Sequence, residues 1–243
     1  MDLEDALRAR SGVICAVGAG GKKTTLYTLA ARGETRTVVT STVRIPIFDP
    51  HVERIVVTET PGRAVEGNDD WPLGVVPARE GENRYRGYDP KAVDDLASAG
   101  AVDRILVKAD GARTREFKAP GEHEPQIPES ADVVLPIASV QVVGQPLAEE
   151  AVHRPSRVAA IADADPGERL TAEDVAAVLA SPDGGHRAVP PDAAVIPVLN
   201  KVDDDEWAAV ARQVADAIHE QADVPHVALT SMTADEPLVD VVA

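Results

Sequence analysis

The chain predicts an α/β fold, a three-layer sandwich with a mostly parallel sheet, and three observations carry that expectation. Short β-branched runs alternate along the chain with helical patterns, the order expected of a parallel sheet covered on both faces. The first run leads directly into a glycine-rich loop and then a helix-like stretch. No linker, repeat or low-complexity tract divides the 243 residues, so one domain over residues 1–243 is expected.

The strand expectations, in order, are residues 13–17, 37–40, 55–57, 104–107, 133–135 and 194–199. Pro197 inside the last argues against a central position for it. Three helices carry start signals: Asp89 caps 90–98, Thr171 with Asp174 three residues on caps 172–180, and Asp205 caps 206–221. Residues 60–88 and 111–130 are rich in Gly, Pro and charge and read as long loops, which in compact domains are usually functional or mobile.

Composition narrows the function. A formal net charge of −17 repels nucleic-acid backbones and anionic membranes, so neither is an expected partner. The acidic start Met1-Asp2-Leu3-Glu4-Asp5 is unlike a signal peptide and no apolar run spans a bilayer, so a soluble, cytoplasmic protein is expected. The single Cys15 lies in the first strand and reads as core. Carboxylate excess with few lysines looks like adaptation to a salt-rich cytoplasm, a halophilic signature. The six lysines are Lys22, Lys23, Lys91, Lys108, Lys118 and Lys201; all but Lys91 fall in segments selected on other grounds.

The most definite chemistry lies in Gly18-Ala19-Gly20-Gly21-Lys22-Lys23-Thr24-Thr25, between strand and helix. Glycines let backbone N–H groups converge on phosphate oxygens, the helix N-terminus adds partial positive charge, and lysine neutralises the outer phosphates. This predicts a P-loop NTPase-like domain that binds a nucleotide, GTP or ATP, with Mg²⁺. The spacing departs from G-x-x-x-x-G-K-[ST], because Ala16 stands at the first glycine and Lys23 follows Lys22. Two registers are open: Lys22 reaches the phosphates, or Lys23 does and Thr24 gives its hydroxyl to the metal. The second is preferred, because the Lys-Thr pair spares the metal a facing ammonium. A dinucleotide fold of the NAD type competes for Gly18-Ala19-Gly20, but the sixth position of its G-x-G-x-x-G pattern holds Lys23.

Two further segments complete the expected site. Asp110, ending the run 105–107 before Gly111, is the candidate to organise the metal. Asn200-Lys201-Val202-Asp203 follows a strand; there an aspartate can accept from guanine N1–H and N2–H, a donor pair that adenine lacks, favouring GTP. The block Lys118-Ala119-Pro120-Gly121-Glu122-His123-Glu124-Pro125-Gln126-Ile127-Pro128 reads as a lid or clamp, with Lys118, Glu122, His123 and Glu124 facing a second substrate or partner. His153-Arg154-Pro155 is a polar cluster without an interpretable spacing.

Taken together, GAGGKKTTLYTLA, Thr40-Ser41-Thr42, Ala109-Asp110-Gly111-Ala112, KAPGEHEPQIP, Ser181-Pro182-Asp183-Gly184-Gly185 and NKVD resemble the YqeC family of selenium-dependent hydroxylase accessory proteins. The resemblance runs over nearly the whole chain. It implies a nucleotide-dependent accessory step in maturation of selenium-dependent molybdenum hydroxylases, with a molybdenum hydroxylase client or its cofactor as partner. Lys108 replaces the glutamate of the family's usual Glu-Ala-Asp-Gly turn. Three functions from different classes are therefore expected in order of preference: an Mg²⁺-dependent NTPase or kinase using Lys22, Lys23 and Asp110, a nucleotide-responsive module that delivers a selenium or molybdopterin species with hydrolysis slow or absent, or an NAD-type oxidoreductase.

Overall fold

The computed structural model describes residues 1–33 and 35–243. A ten-stranded sheet runs through its middle. In chain order its strands are β1 (Gly12–Gly18), β2 (Thr37–Ser41), β3 (Arg54–Val57), β4 (Leu73–Val76), β5 (Arg104–Lys108), β6 (Val133–Ser139), β7 (Ala194–Val195), β8 (Val198–Asn200), β9 (Val227–Thr230) and β10 (Leu238–Val242). Their spatial order is β10-β9-β8-β6-β1-β5-β2-β4-β3, with β7 paired to β6. All pairs are parallel except β9 with β10.

Alternation along the central strands explains the layers. Ile14 and Ala16 of β1 pack on one face with Leu26 and Leu29 of α2 (Lys22–Ala30) and Leu3 of α1 (Leu3–Ala6). Val13, Cys15 and Val17 pack on the other with Val65 of α3 (Pro61–Val65) and Val93 and Leu96 of α4 (Pro90–Ser98). Farther along that second face, Leu199, Val227 and Leu229 meet α5 (Pro155–Ala162), α6 (Ala172–Ala180) and α7 (Asp205–Gln221). The result is the three-layer α/β sandwich that the alternating pattern predicts. Cys15 is buried and free, as expected of a core residue.

Several elements differ from expectation, each for a local reason. The run 194–199 is broken at Pro197, which has no N–H to give, into β7 and β8; β8 nevertheless lies inside the sheet, between β6 and β9. The N-cap of α7 is Asp204, whose side chain accepts from Trp207 N–H, rather than Asp205. The Thr171 and Asp89 caps stand as expected, Thr171 within a reciprocal capping box with Asp174. Residues 60–88 are not one long loop: they hold α3, the buried strand β4 and the strands Arg79–Glu80 and Arg84–Tyr85, which form a small antiparallel sheet with Ile45–Pro46. No helix among the described residues is long and apolar enough to cross a membrane.

One buried cation ties the lower end of the sheet together. Arg104, fully buried at the start of β5, donates to Thr37 Oγ1 (3.0 Å), Glu4 Oε1 (2.6 Å) and the carbonyls of Ala9, Leu29 and Arg32. It thereby joins β2, α1 and the end of α2. Arg104→Leu leaves those acceptors unpaired in the interior and should destabilise the protein by about 3 kcal/mol or more. Urea denaturation at high salt measures this, and an unchanged midpoint would show that Arg104 holds nothing.

Candidate functional site

The chain leaves β1 toward α2 on one face and leaves the neighbouring β6 toward α5 and α6 on the other. Such a reversal opens a crevice outside the carboxyl ends of the strands. There residues 18–21 turn into α2, whose N-cap is Gly21. Gly20 has φ +77°, and a Cβ on it would lie 2.3 Å from Ser139 N, so this loop is pressed against the end of β6. The N–H groups of Gly18, Ala19 and Gly20 are used internally, by Asp110 Oδ2, Ile137 O and Arg115 O. Those of Gly21, Lys22, Lys23 and Thr24 have no acceptor among the described residues. Four free donors at a helix N-terminus form a ready anion site.

Lys22 and Lys23 part company at this turn. Lys22 is buried, donates to Gly18 O and lies 2.9 Å from Asp110 Oδ1. Lys23 lines the open cleft and has no ion-pair partner among the described residues. Lys22 directly follows the glycine N-cap and is turned to the interior, whereas Lys23, the lysine of the register preferred on sequence grounds, stands one position further into the helix on the open side. Thr24, one residue further into the helix, also lines the cleft, whereas the Thr25 hydroxyl turns back to Gly21 O (3.2 Å).

Asp110 is the hub. Its Oδ2 accepts from Gly18 N–H (2.8 Å) and lies 2.9 Å from Lys118 Nζ, while its Oδ1 faces Lys22 as a charge contact without hydrogen-bond alignment. Lys118 also donates to Gly111 O (2.6 Å) and Glu124 Oε2 (2.8 Å), and Glu124 in turn receives Arg154 (2.7 Å). Burial alone would raise the Asp110 carboxyl; Lys22 and Lys118 outweigh it and hold the group below the usual carboxylate range. Glu124 behaves alike: Lys118 and Arg154 offset its burial and hold it at about 2. His153, beside Arg154, is pushed down to about 4 by burial and then by Arg154 and Lys118, so it is neutral at pH 7.

The block 118–128 therefore divides. Lys118 and Glu124 belong to the network under the glycine-rich turn instead of reaching outward, and Thr42 fastens the block further by donating to Gln126 O. Glu122 and His123 are exposed. Arg154, which sequence spacing left uninterpreted, reaches this block through the pairing of Val152–His153 with Phe117–Lys118.

A cleft of about 460 Å³ opens beside the turn. Lys22, Lys23, Lys108 and Lys201 line it, as do Arg44, Arg84, Arg113 and Arg115; Glu116 is the one carboxylate in its lining. Eight basic side chains stand against one acid in the described lining. Although Lys22, Lys201 and Arg44 are already paired with Asp110, Glu116 and Glu80, the cleft concentrates positive charge in a chain of net charge −17 and suits a polyanion. At the far end Lys201 pairs with Glu116 (2.7 Å). Asn200 is turned inward, its amide donating to Gly20 O (2.8 Å) and its Oδ1 accepting from Met232 N–H (3.1 Å) and the Thr230 hydroxyl (3.2 Å). It braces two loops instead of offering itself to a ligand. Asp203 is exposed; Oδ1 accepts from Ser231 (2.7 Å) and Oδ2 from Gln141 (2.9 Å), which leaves acceptor capacity on both oxygens.

The donor set for Mg²⁺ is poor. Both Asp110 oxygens face ammonium groups, the position after Lys22 carries Lys23, and no cluster of three His, Cys, Asp or Glu suited to a metal occurs among the described residues. A hard cation asks for several oxygen ligands, and these residues do not fit it.

Lys108 adds a pH dependence. Its ammonium donates to Arg44 O (3.1 Å) and Asp110 O (2.7 Å), and burial, then Lys22, push it down to about 7. Anion binding favours its protonated form, so that contribution is present below about pH 7 and lost as pH rises through it. Lys108→Met should bind tripolyphosphate more weakly than the parent at about pH 6, by roughly tenfold for one charge-assisted contact, and match it by about pH 8. Calorimetric titration at both pH values checks this; parallel profiles would show that the Lys108 charge is not felt in the cleft.

Comparison with known proteins bears on the loop half of this site. No solved structure matches the chain. An Escherichia coli (strain K12) protein named "Uncharacterized protein YqeC" is 32% identical over 187 residues, which cover 74% of this chain and 72% of that one. The family described as YqeC protein matches residues 14–156. That stretch contains the glycine-rich turn, Asp110 and the 118–128 block, and it ends before Asn200. By both matches the chain belongs to the YqeC family.

Proposed function

We propose that this protein binds a purine nucleoside triphosphate, GTP in preference to ATP, with its phosphates at the N-terminus of α2. The observation that carries the reading is the coincidence of four unpartnered N–H groups, from Gly21 to Thr24, with the positively lined cleft. Lys22 would face the outer phosphates and Lys23 would add charge from the next helical position. The base would lie toward Lys201 and Asp203, where the two free acceptor sites of Asp203 match guanine N1–H and N2–H. An NAD-type reading finds less support, because β2 runs out into Ser41 and Thr42 with no carboxylate for a ribose hydroxyl.

As to what binding does, a nucleotide-responsive accessory factor fits the residues better than a rapidly turning-over Mg²⁺-dependent NTPase or kinase. Glu116 is committed to Lys201, and the other nearby carboxylates, Asp110 and Glu124, are held by lysine and arginine. Asn200, by contrast, mechanically links the phosphate turn to the loop after β9, so occupancy of one is felt at the other. The client would be a molybdenum hydroxylase or its cofactor, the partner that the family resemblance implies, and the exposed Glu122 and His123 are the part of the 118–128 block open to it. Measuring nucleotide turnover by the purified protein with and without such a client separates the two activities; fast turnover alone would favour the NTPase.

Replacing Lys22 and Lys23 together by Ala should abolish triphosphate binding, each ammonium contributing roughly 1.5–3 kcal/mol through charge-assisted hydrogen bonds. Unchanged affinity in that double variant would remove the phosphate-loop reading. Asp203→Asn should weaken GTP by about tenfold or more and leave ATP nearly unaffected, because an amide presents a donor where guanine needs a second acceptor. Equal affinity of the parent for GTP and ATP would reduce Asp203 to a turn residue.

A further inference from the structure

Phosphates held together with a divalent cation need oxygen ligands on the protein side, hydroxyls and carboxylates above all. Around this turn most of the oxygens are engaged or shut off. The Thr25 hydroxyl goes to Gly21 O, Ser41 to Lys108 O (2.7 Å) and Thr42 to Gln126 O. Asp110 is 1% exposed and carries Lys22, Lys118 and the Gly18 N–H. Glu116 gives one oxygen to Lys201, and its other oxygen is shut off from solvent. Thr24 keeps a hydroxyl without an internal partner, a single ligand with no free carboxylate beside it.

What surrounds the phosphate end instead is ammonium. Lys23 stands at the position that would hold a hydroxyl, with no acid beside it among the described residues, and Lys108 reaches the same cleft from the end of β5. A dication placed there would face Lys23 and Lys108, with Lys22 behind them already paired to Asp110, whereas a bare triphosphate would meet the Lys23 charge at neutral pH and that of Lys108 as pH falls below about 7. We infer that the site takes its triphosphate as the metal-free polyanion, with Lys23 and Lys108 in place of the cation. This rests on the nucleotide reading above and specifies the ionic form of the ligand.

Calorimetric titration of GTP, ATP and inorganic tripolyphosphate into the full chain, at high salt, in EDTA and in excess MgCl₂, tests it. Affinity in EDTA should equal or exceed that in MgCl₂. Lys23→Thr, which restores the missing hydroxyl and removes the ammonium, should lose about tenfold in EDTA and recover with MgCl₂. A parent affinity that falls by about tenfold or more without Mg²⁺ overturns the inference and leaves the nucleotide reading standing. A Lys23→Thr protein that is folded by circular dichroism yet indistinguishable from the parent in both buffers also overturns it. Absence of binding by the parent in either buffer overturns both.

Discussion

The contact on which the rest of this molecule turns is the buried carboxylate of Asp110 between Lys22 and Lys118. It joins the start of α2 to two segments far from it in sequence, the loop beyond β5 and the Phe117–Lys118 strand eight residues on. A buried ion is tolerable only where partners and hydrogen bonds surround it, and here Gly18 N–H supplies one while Glu124 and Arg154 extend the set. Each loop is thus placed by charge as much as by packing. The loops lie at the carboxyl ends of strands whose own residues are buried on both faces, so a rigid floor carries an electrostatically fixed rim.

The floor was legible from residues alone because its cause is local. Runs such as Val13-Ile14-Cys15-Ala16-Val17 leave a chain few options besides a strand buried on both faces, and Thr171 with Asp174 announces a helix start within four residues. What escaped was set by distant partners. Leu73–Val76 is too short and too closely flanked by Trp71-Pro72 and Pro77 to stand out, yet pairing with β2 and β3 makes it an interior strand. Lysine in place of a hydroxyl after Lys22 left the loop's register ambiguous; only burial against Asp110 separates the two lysines. The prolines of 118–128 signal an extended segment but say nothing of which face it shows, and the segment proves to be half foundation and half surface. Arg154 stood out only as part of a polar cluster without an interpretable spacing, because its partner Glu124 is thirty residues away.

Charge is distributed with the same economy. Of six lysines, three are buried around Asp110, and two of these, Lys22 and Lys108, line the cleft together with Lys23 and Lys201; Lys91 alone sits on an outer helix face, near Asp95. Arginine and carboxylate carry the outer surface, in exposed pairs such as Arg36 with Asp103 that contribute little each. A strongly acidic envelope around a cationic cleft repels other polyanions broadly while drawing small anions inward.

Asn200 gives this arrangement a property of length. Its amide is shared between Gly20 O on one side and Met232 N–H and Thr230 on the other, within the last residue of a buried strand. The turn that ends β1 and the loop that ends β9 are therefore spaced by one side chain of fixed reach, and neither can swing without dragging the other. For the nucleotide proposed above, this would make the distance between its phosphate and base ends a quantity set by one strut, so a shorter anion would fill one end and leave the other wet.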